Sequence, residues 1–194
     1  MTDVFSLKVE ELAGKIKDSQ ITSVELCKIY IDRINKFEKD VKAWAHFDKK
    51  LLLEKAAEAD EHRNLGKPLG PLHGIPVAVK DIVGTLDMPT ECGTSIRKGK
   101  SYSQNAEIVD LLISAGAIVM GKTATSELAF LGPPKTTNPH DYSRTPGGRL
   151  QHSQIEILVN FSDVVLRGFH TVVVLMHHHP TAAFQLTASR CCER

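Results

Sequence analysis

Apolar residues recur first at helical spacing and later in short continuous runs. From Leu7 to Lys17, Val9, Leu12, Ala13 and Ile16 share one face of a predicted helix. Thr22-Ser23-Val24-Glu25 has the Thr-x-x-Glu form of a capping box, and Val24, Cys27, Ile31 and Ile34 continue as a stripe. Lys49 to Arg63 is rich in Leu, Ala, Glu and Lys, all strong helix formers, and Asn64-Leu65-Gly66-Lys67-Pro68 closes it. The turn-rich Gly70-Pro71-Leu72-His73-Gly74 then leads into Ile75-Pro76-Val77-Ala78-Val79. That run suits a buried strand, with Pro76 restricted to an early or edge position. Gln104 to Ser114 predicts a helix with Ile108, Leu111, Leu112 and Ala115 inward and Gly116 as its stop. Ala117-Ile118-Val119-Met120 reads as a second buried strand. Strands alternating with helices predict an α/β layered architecture.

Composition narrows the classes of function. The 194 residues are 42% hydrophobic and 24% charged, as in ordinary soluble globular chains, and this length favours one domain. A net charge of +1 excludes the basic footprint of non-specific nucleic-acid binding. No apolar run reaches the roughly 18–20 residues of a membrane span, and Met1-Thr2-Asp3-Val4 lacks a signal pattern. Cys27, Cys92, Cys191 and Cys192 have neither disulfide-framework nor zinc spacing, which points to a reducing cytoplasm.

The composition breaks near residue 148. Sixteen lysines lie between Lys8 and Lys135 and none between Arg149 and Arg194, where about five would be expected at the earlier rate. Five of the nine histidines fall in that tail. Its apolar segments, Ile155, Ile157, Val159 and Phe161 in alternation and then Thr171 to Met176, are β-prone and lack lysine gatekeepers.

Four places could carry chemistry. Gly116-Ala117-Ile118-Val119-Met120-Gly121-Lys122-Thr123 matches the phosphate-loop pattern G-x-x-x-x-G-K-S/T, but that loop must follow a strand and open a helix. Here a helix precedes the first glycine and the intervening residues are strand-like, so a helix stop, strand and turn is the better reading. His177-His178-His179-Pro180 has the contiguous form of an adventitious metal binder, and Cys191-Cys192 has no nearby base. Lys80 closes the apolar strand directly. Spacing alone favours a snorkelling surface lysine, whereas burial would depress its pKa and supply a neutral amine as a base.

A series of blocks decides between these. Gly70-Pro71-Leu72-His73-Gly74-Ile75-Pro76-Val77-Ala78-Val79-Lys80-Asp81 resembles the amidase signature family. The likeness continues through Met88-Pro89-Thr90-Glu91-Cys92-Gly93-Thr94 and Ala115 to Thr123. It ends with Thr137-Asn138-Pro139-His140-Asp141 and Arg144-Thr145-Pro146-Gly147-Gly148. The resemblance covers about residues 1–148 and implies part of an α/β/α sandwich, with N-terminal helices and an incomplete central sheet. It implies carboxamide cleavage, without metal or organic cofactor, by a triad of lysine, a serine in a cis peptide and a nucleophilic serine. In that scheme the neutral lysine takes a proton from the cis serine, which takes one from the nucleophile. The activated hydroxyl forms an acyl-enzyme that water hydrolyses, and backbone N–H groups hold the oxyanion. By its place in the motif, Lys80 is the equivalent of the triad lysine. The partner so implied is a small-molecule amide, with no nucleic acid bound directly and no membrane. The resemblance leaves open a partner protein and the choice between a free amidase and part of an aminoacyl-tRNA amidotransferase.

The departure comes where the chemistry should begin. The family continues past Arg-Thr-Pro-Gly-Gly into a serine- and glycine-rich stretch supplying both serines. Here Arg149-Leu150-Gln151-His152-Ser153-Gln154 follows, and Ser153, Ser162 and Ser189 lack glycine-rich surroundings. Motif and composition thus break together, which predicts an unrelated tail over 149–194 from a frameshift, altered splice junction or gene-model error near codon 148. Arg-Leu-Gln can be written AGG-CTC-CAG, and its second-base frame begins Gly-Ser. The expected chain keeps Lys80, lacks its serines and turns over no amide. The alternatives are a non-catalytic interaction protein, docking through its helices or a β-prone tail, and a nucleotide-binding protein using Gly116–Thr123.

Overall fold

The computed structural model describes residues 4–132, 135–138 and 142–143, together with the backbone of three short strands at 155–156, 172–173 and 187–188. Helix α1 (Val9–Lys17) buries Val9, Leu12 and Ile16, the face expected from their spacing. Helix α2 (Ser23–Val41) buries Leu26, Cys27, Tyr30, Ile31 and Ile34. The Thr22–Glu25 capping box forms as predicted: the Thr22 Oγ1 accepts the Glu25 N–H at 3.0 Å, and the Glu25 carboxylate accepts the Thr22 N–H at 2.8 Å.

That box leaves the Ser23 and Val24 N–H groups without a local partner at the head of α2, and a residue far along the chain takes both. Asp60, on α3 (Lys49–Asn64), accepts them at 2.8 and 3.0 Å through its two carboxylate oxygens. One turn further on, Arg63 donates to the Ile16 carbonyl at 2.8 Å, satisfying an acceptor near the end of α1. Asp60 and Arg63 are themselves an i,i+3 ion pair at 3.7 Å, with side chains 13% and 8% exposed. The α1–α2 junction is therefore held from α3, with anion on helix start and cation on helix end as the helix dipoles favour.

Strand β1 (Trp44–Phe47) follows α2 after Lys42, which ends the helix in the left-handed conformation with φ of 56°. The Glu38 carboxylate accepts the Ala43 and Trp44 N–H groups at 3.0 Å each and aims the strand. Strands β2 (Pro76–Lys80) and β3 (Ile118–Thr123) pair in parallel, joined by a crossover that contains α4 (Glu107–Ser114). All of β2 is buried, as suits a parallel strand covered on both faces. Pro76 is its first residue. The sheet runs β1-β3-β2-β4, with β1 antiparallel to β3 and the two-residue β4 (Ile155–Glu156) antiparallel to β2. Strands β5 (Val172–Val173) and β6 (Thr187–Ala188) pair separately. The expected α/β class holds; the rest of the alternating tail lies outside the described residues.

Three details differ from the sequence reading. Strand β3 continues through Gly121, Lys122 and Thr123, where a turn is expected, because these residues pair with Ala78, Val79 and Lys80 of β2. Helix α4 starts at Glu107 rather than Gln104, and it buries Val109 and Leu112, while Leu111 is 37% exposed. The apolar run Ile108–Ile113 has more hydrophobic positions than one face can hold, so spacing alone does not set its rotation. Strand β1 has no counterpart in that reading, because four residues with an exposed alanine carry little alternation.

The turn before β2 interlocks with the turn before β3. The Leu72 N–H donates to the Ala115 carbonyl and the Gly74 N–H to the Gly116 carbonyl, both at 2.9 Å. Gly116 has φ of 89°, and a Cβ there would lie 2.8 Å from the His73 Cα, so only glycine suits this contact. His73 reaches the Ala59 carbonyl with Nε2 at 3.0 Å, and burial pulls its pKa below the ordinary value of 6.5.

These contacts can be tested in two ways. Asp60→Ala should lower the unfolding free energy by about 2 kcal/mol, since it uncaps α2 and leaves Arg63 unpaired; an unchanged urea midpoint would show that Thr22 suffices. The unfolded chain binds a proton at His73 near 6.5, whereas the folded chain resists it. Its stabilisation is therefore complete above that pH and lost as pH falls through the depressed folded value. Urea midpoints taken down through this window should fall less steeply for His73→Gln than for the parent chain.

Candidate active site

Lys80 ends β2, opposite Thr123 of β3, and the preceding residue Val79 is opposite Lys122. Side chains alternate along a strand, so Lys80 and Lys122 leave opposite faces of the sheet. Lys80 is only 6% exposed, which overturns the snorkelling expectation: the apolar strand carries it into the core region rather than along the surface. Its location at the carboxyl end of a parallel strand is where α/β sheets build their sites.

The chain turns sharply after Lys80. The Lys80 carbonyl accepts the N–H groups of Ile82 and Val83 at 2.8 and 3.0 Å, while the Asp81 N–H donates to the Thr123 carbonyl at 3.0 Å. Asp81, 1% exposed, then gathers the returning loop. Its carboxylate accepts the Glu91 and Gly93 N–H groups at 3.1 and 3.3 Å, and its carbonyl accepts the Cys92 N–H at 2.9 Å.

A second lysine completes the arrangement. The Lys122 side chain is fully buried and donates from Nζ to the Val83 carbonyl and the Thr90 Oγ1, each at 2.6 Å, with the Thr85 Oγ1 at 3.4 Å. The nearer Asp81 oxygen is 3.9 Å away. Burial pulls the Lys122 pKa down to about 8 and pushes the Asp81 carboxyl up, each drift opposed by the charge of the other. Further along, the Thr94 Oγ1 donates to the Glu127 carboxylate at 2.6 Å, fixing the loop to the segment after β3.

This geometry removes the phosphate-loop reading. Gly121, Lys122 and Thr123 lie within β3, not at a helix start, and the Lys122 ammonium is occupied by loop oxygens. Gly121 is explained by packing: a Cβ there would sit 2.7 Å from the Trp44 ring and 2.8 Å from the His46 carbonyl oxygen. Sequence reasoning uses Lys122 only as a letter of that pattern and misses its network. The available signal is a lysine continuing the apolar run Ile118-Val119-Met120, which requires buried partners. Ser153, Ser162, Ser189, His177–His179, Cys191–Cys192 and the block 144–148 lie outside the described residues.

Comparison with known proteins agrees with the blocks that built this site. The amidase family model matches residues 25–148. A glutamyl-tRNA(Gln) amidotransferase subunit from Salinispora arenicola is 39% identical over 156 residues, covering 76% of this chain and 31% of that protein. Its counterpart from Chloroflexus aurantiacus is 37% identical over 154 residues, covering 76% and 32%. The native peptide amidase of Stenotrophomonas maltophilia matches in structure with a TM-score of 0.68 and 31% identity, over 78% of this chain and 33% of that one. The chain spans about a third of the length of these relatives. With the family model matched across both strand-forming blocks and the loop between them, the chain belongs to the amidase family.

Proposed function

We propose that residues 1–148 are the lysine-bearing part of an amidase-family domain, that Lys80 stands in the place of the triad base, and that this chain does not itself turn over an amide. The observation that carries the reading is a buried Lys80 at the carboxyl end of a parallel strand, inside the family match. Buried there, a neutral amine would draw a proton from a neighbouring hydroxyl. The chemistry it serves is attack of that hydroxyl on a carboxamide carbon and release of ammonia or an amine. No metal or organic cofactor enters this scheme, and the substrate class is a small-molecule amide.

The tail at 149–194 supplies neither serine in a glycine-rich setting, and a base without its relay has nothing to activate. Its lack of lysine and the end of the family match at residue 148 support an origin in another reading frame or splice junction. The cysteines follow no disulfide pattern, which supports a cytoplasmic setting, and no helix among the described residues is long and apolar enough to cross a membrane. A second reading, a non-catalytic interaction protein, draws support from the pairing of Ile155–Glu156 with Ala78 and Val79 of β2, which adds these two tail residues to the sheet.

The purified chain should release no ammonia from glutamine or a peptide amide above a buffer blank, and Lys80→Ala should change nothing. Turnover abolished by Lys80→Ala would overturn the inactive reading. Sequencing genomic DNA and transcript across codons 140–194 and downstream separates the two origins of the tail. Restoration of a Gly-Gly-Ser-Ser-type run in another frame or exon is the expected result; a transcript that encodes the tail as written favours the interaction protein.

A further inference from the structure

We infer that Lys122 is a positioning residue for Lys80: through the Val83 carbonyl and the Thr90 hydroxyl it holds the turn and returning loop that fix the end of β2. This rests on the reading of Lys80 as the base. The connection is short. The Lys80 carbonyl accepts the Val83 N–H at 3.0 Å, and the Val83 carbonyl accepts the Lys122 ammonium at 2.6 Å, so one residue separates the two lysines' contacts. The same ammonium reaches Thr90 on the returning loop, while Asp81 takes the Glu91 and Gly93 N–H groups beside it. An ammonium has three donors in tetrahedral array, and here they face the Val83, Thr90 and Thr85 oxygens. An apolar side chain in its place would leave those oxygens buried and Asp81 without its counter-charge. The loop would then have to open toward water, loosening the Val83 turn that holds the Lys80 carbonyl and with it the end of β2.

Lys122 leaves the face of the sheet opposite to Lys80, so it acts on the backbone that presents Lys80 and not on the reacting groups themselves. The strand excludes the phosphate-loop role, and the same ammonium is also the counter-charge of Asp81 at 3.9 Å.

The test does not need turnover. Competitive acylation of the full chain across pH, read by mass spectrometry of lysine peptides, gives a labelling profile for Lys80 against the exposed Lys50, whose side chain is 86% accessible. Hydrogen–deuterium exchange follows the Glu91, Cys92 and Gly93 amides in parallel. In the parent chain Lys80 should label with a midpoint below that of Lys50. Lys122→Met should bring the Lys80 profile toward that of Lys50 and speed exchange at the three amides by about tenfold. Thr90→Val keeps the charge and the volume and removes one acceptor. It should move both readouts in the same direction by less, and it decides the matter if Lys122→Met does not fold. Faster exchange with an unchanged Lys80 profile would overturn the inference and leave Lys122 a purely structural cation. A parent-chain Lys80 that labels like Lys50 would instead overturn the reading of Lys80 as base, and this inference with it.

Discussion

The parallel pairing of β2 with β3 is the constraint on which the rest of this molecule depends. Each strand is preceded by a tight glycine-containing turn, and the first turn donates two hydrogen bonds to carbonyls of the second before the strands begin to pair. Each strand also ends in a lysine region, so the register that places Val79 beside Lys122 fixes which face each cation occupies. Helix α4 supplies the crossover that parallel strands require. The blocks at 70–81 and 115–123, distant in the chain, are therefore two halves of one object.

Below that pairing lies an electrostatic cost. Taking an ammonium and a carboxylate out of water costs several kcal/mol per ion, and their attraction offsets this only when remaining donors and acceptors are satisfied. Lys122 and Asp81 meet the condition mainly through neutral loop groups, since their own separation of 3.9 Å is long for a direct contact. The pair therefore does more to define the path of residues 81–94 than to stabilise the fold, because alternative loop paths would strand a buried charge.

Much of this is legible in the sequence, and the failures have physical causes. The Thr22–Glu25 box, the buried faces of α1 and α2 and the two parallel strands all rest on local periodicity or on side chains three residues apart, which a linear reading can see. Lys80 stands out through its motif, and its burial agrees with the apolar run that precedes it. Asp60 cannot be found this way. Its partners lie 36 and 37 residues earlier, and nothing local marks an aspartate inside a charged helix as the cap of another. Lys122 escapes for a related reason: a short pattern match takes the place of the question of how a lysine continuing a buried strand is solvated.

The clamp on the first two helices also bears on how the chain folds as it is synthesised. Arg63 closes a contact with Ile16 across 47 residues, and Asp60 completes the head of α2 from the same helix. Helices emerging from a ribosome can each form by local hydrogen bonding, and the turn between α1 and α2 has local bonds of its own, among them the Gln20 N–H to the Lys15 carbonyl at 2.8 Å, but the clamp on that turn needs α3. During translation the two must wait without that clamp until the last turn of α3 has left the exit tunnel. A pause in translation before that turn would prolong the interval in which the apolar faces of α1 and α2 are open to the wrong partner.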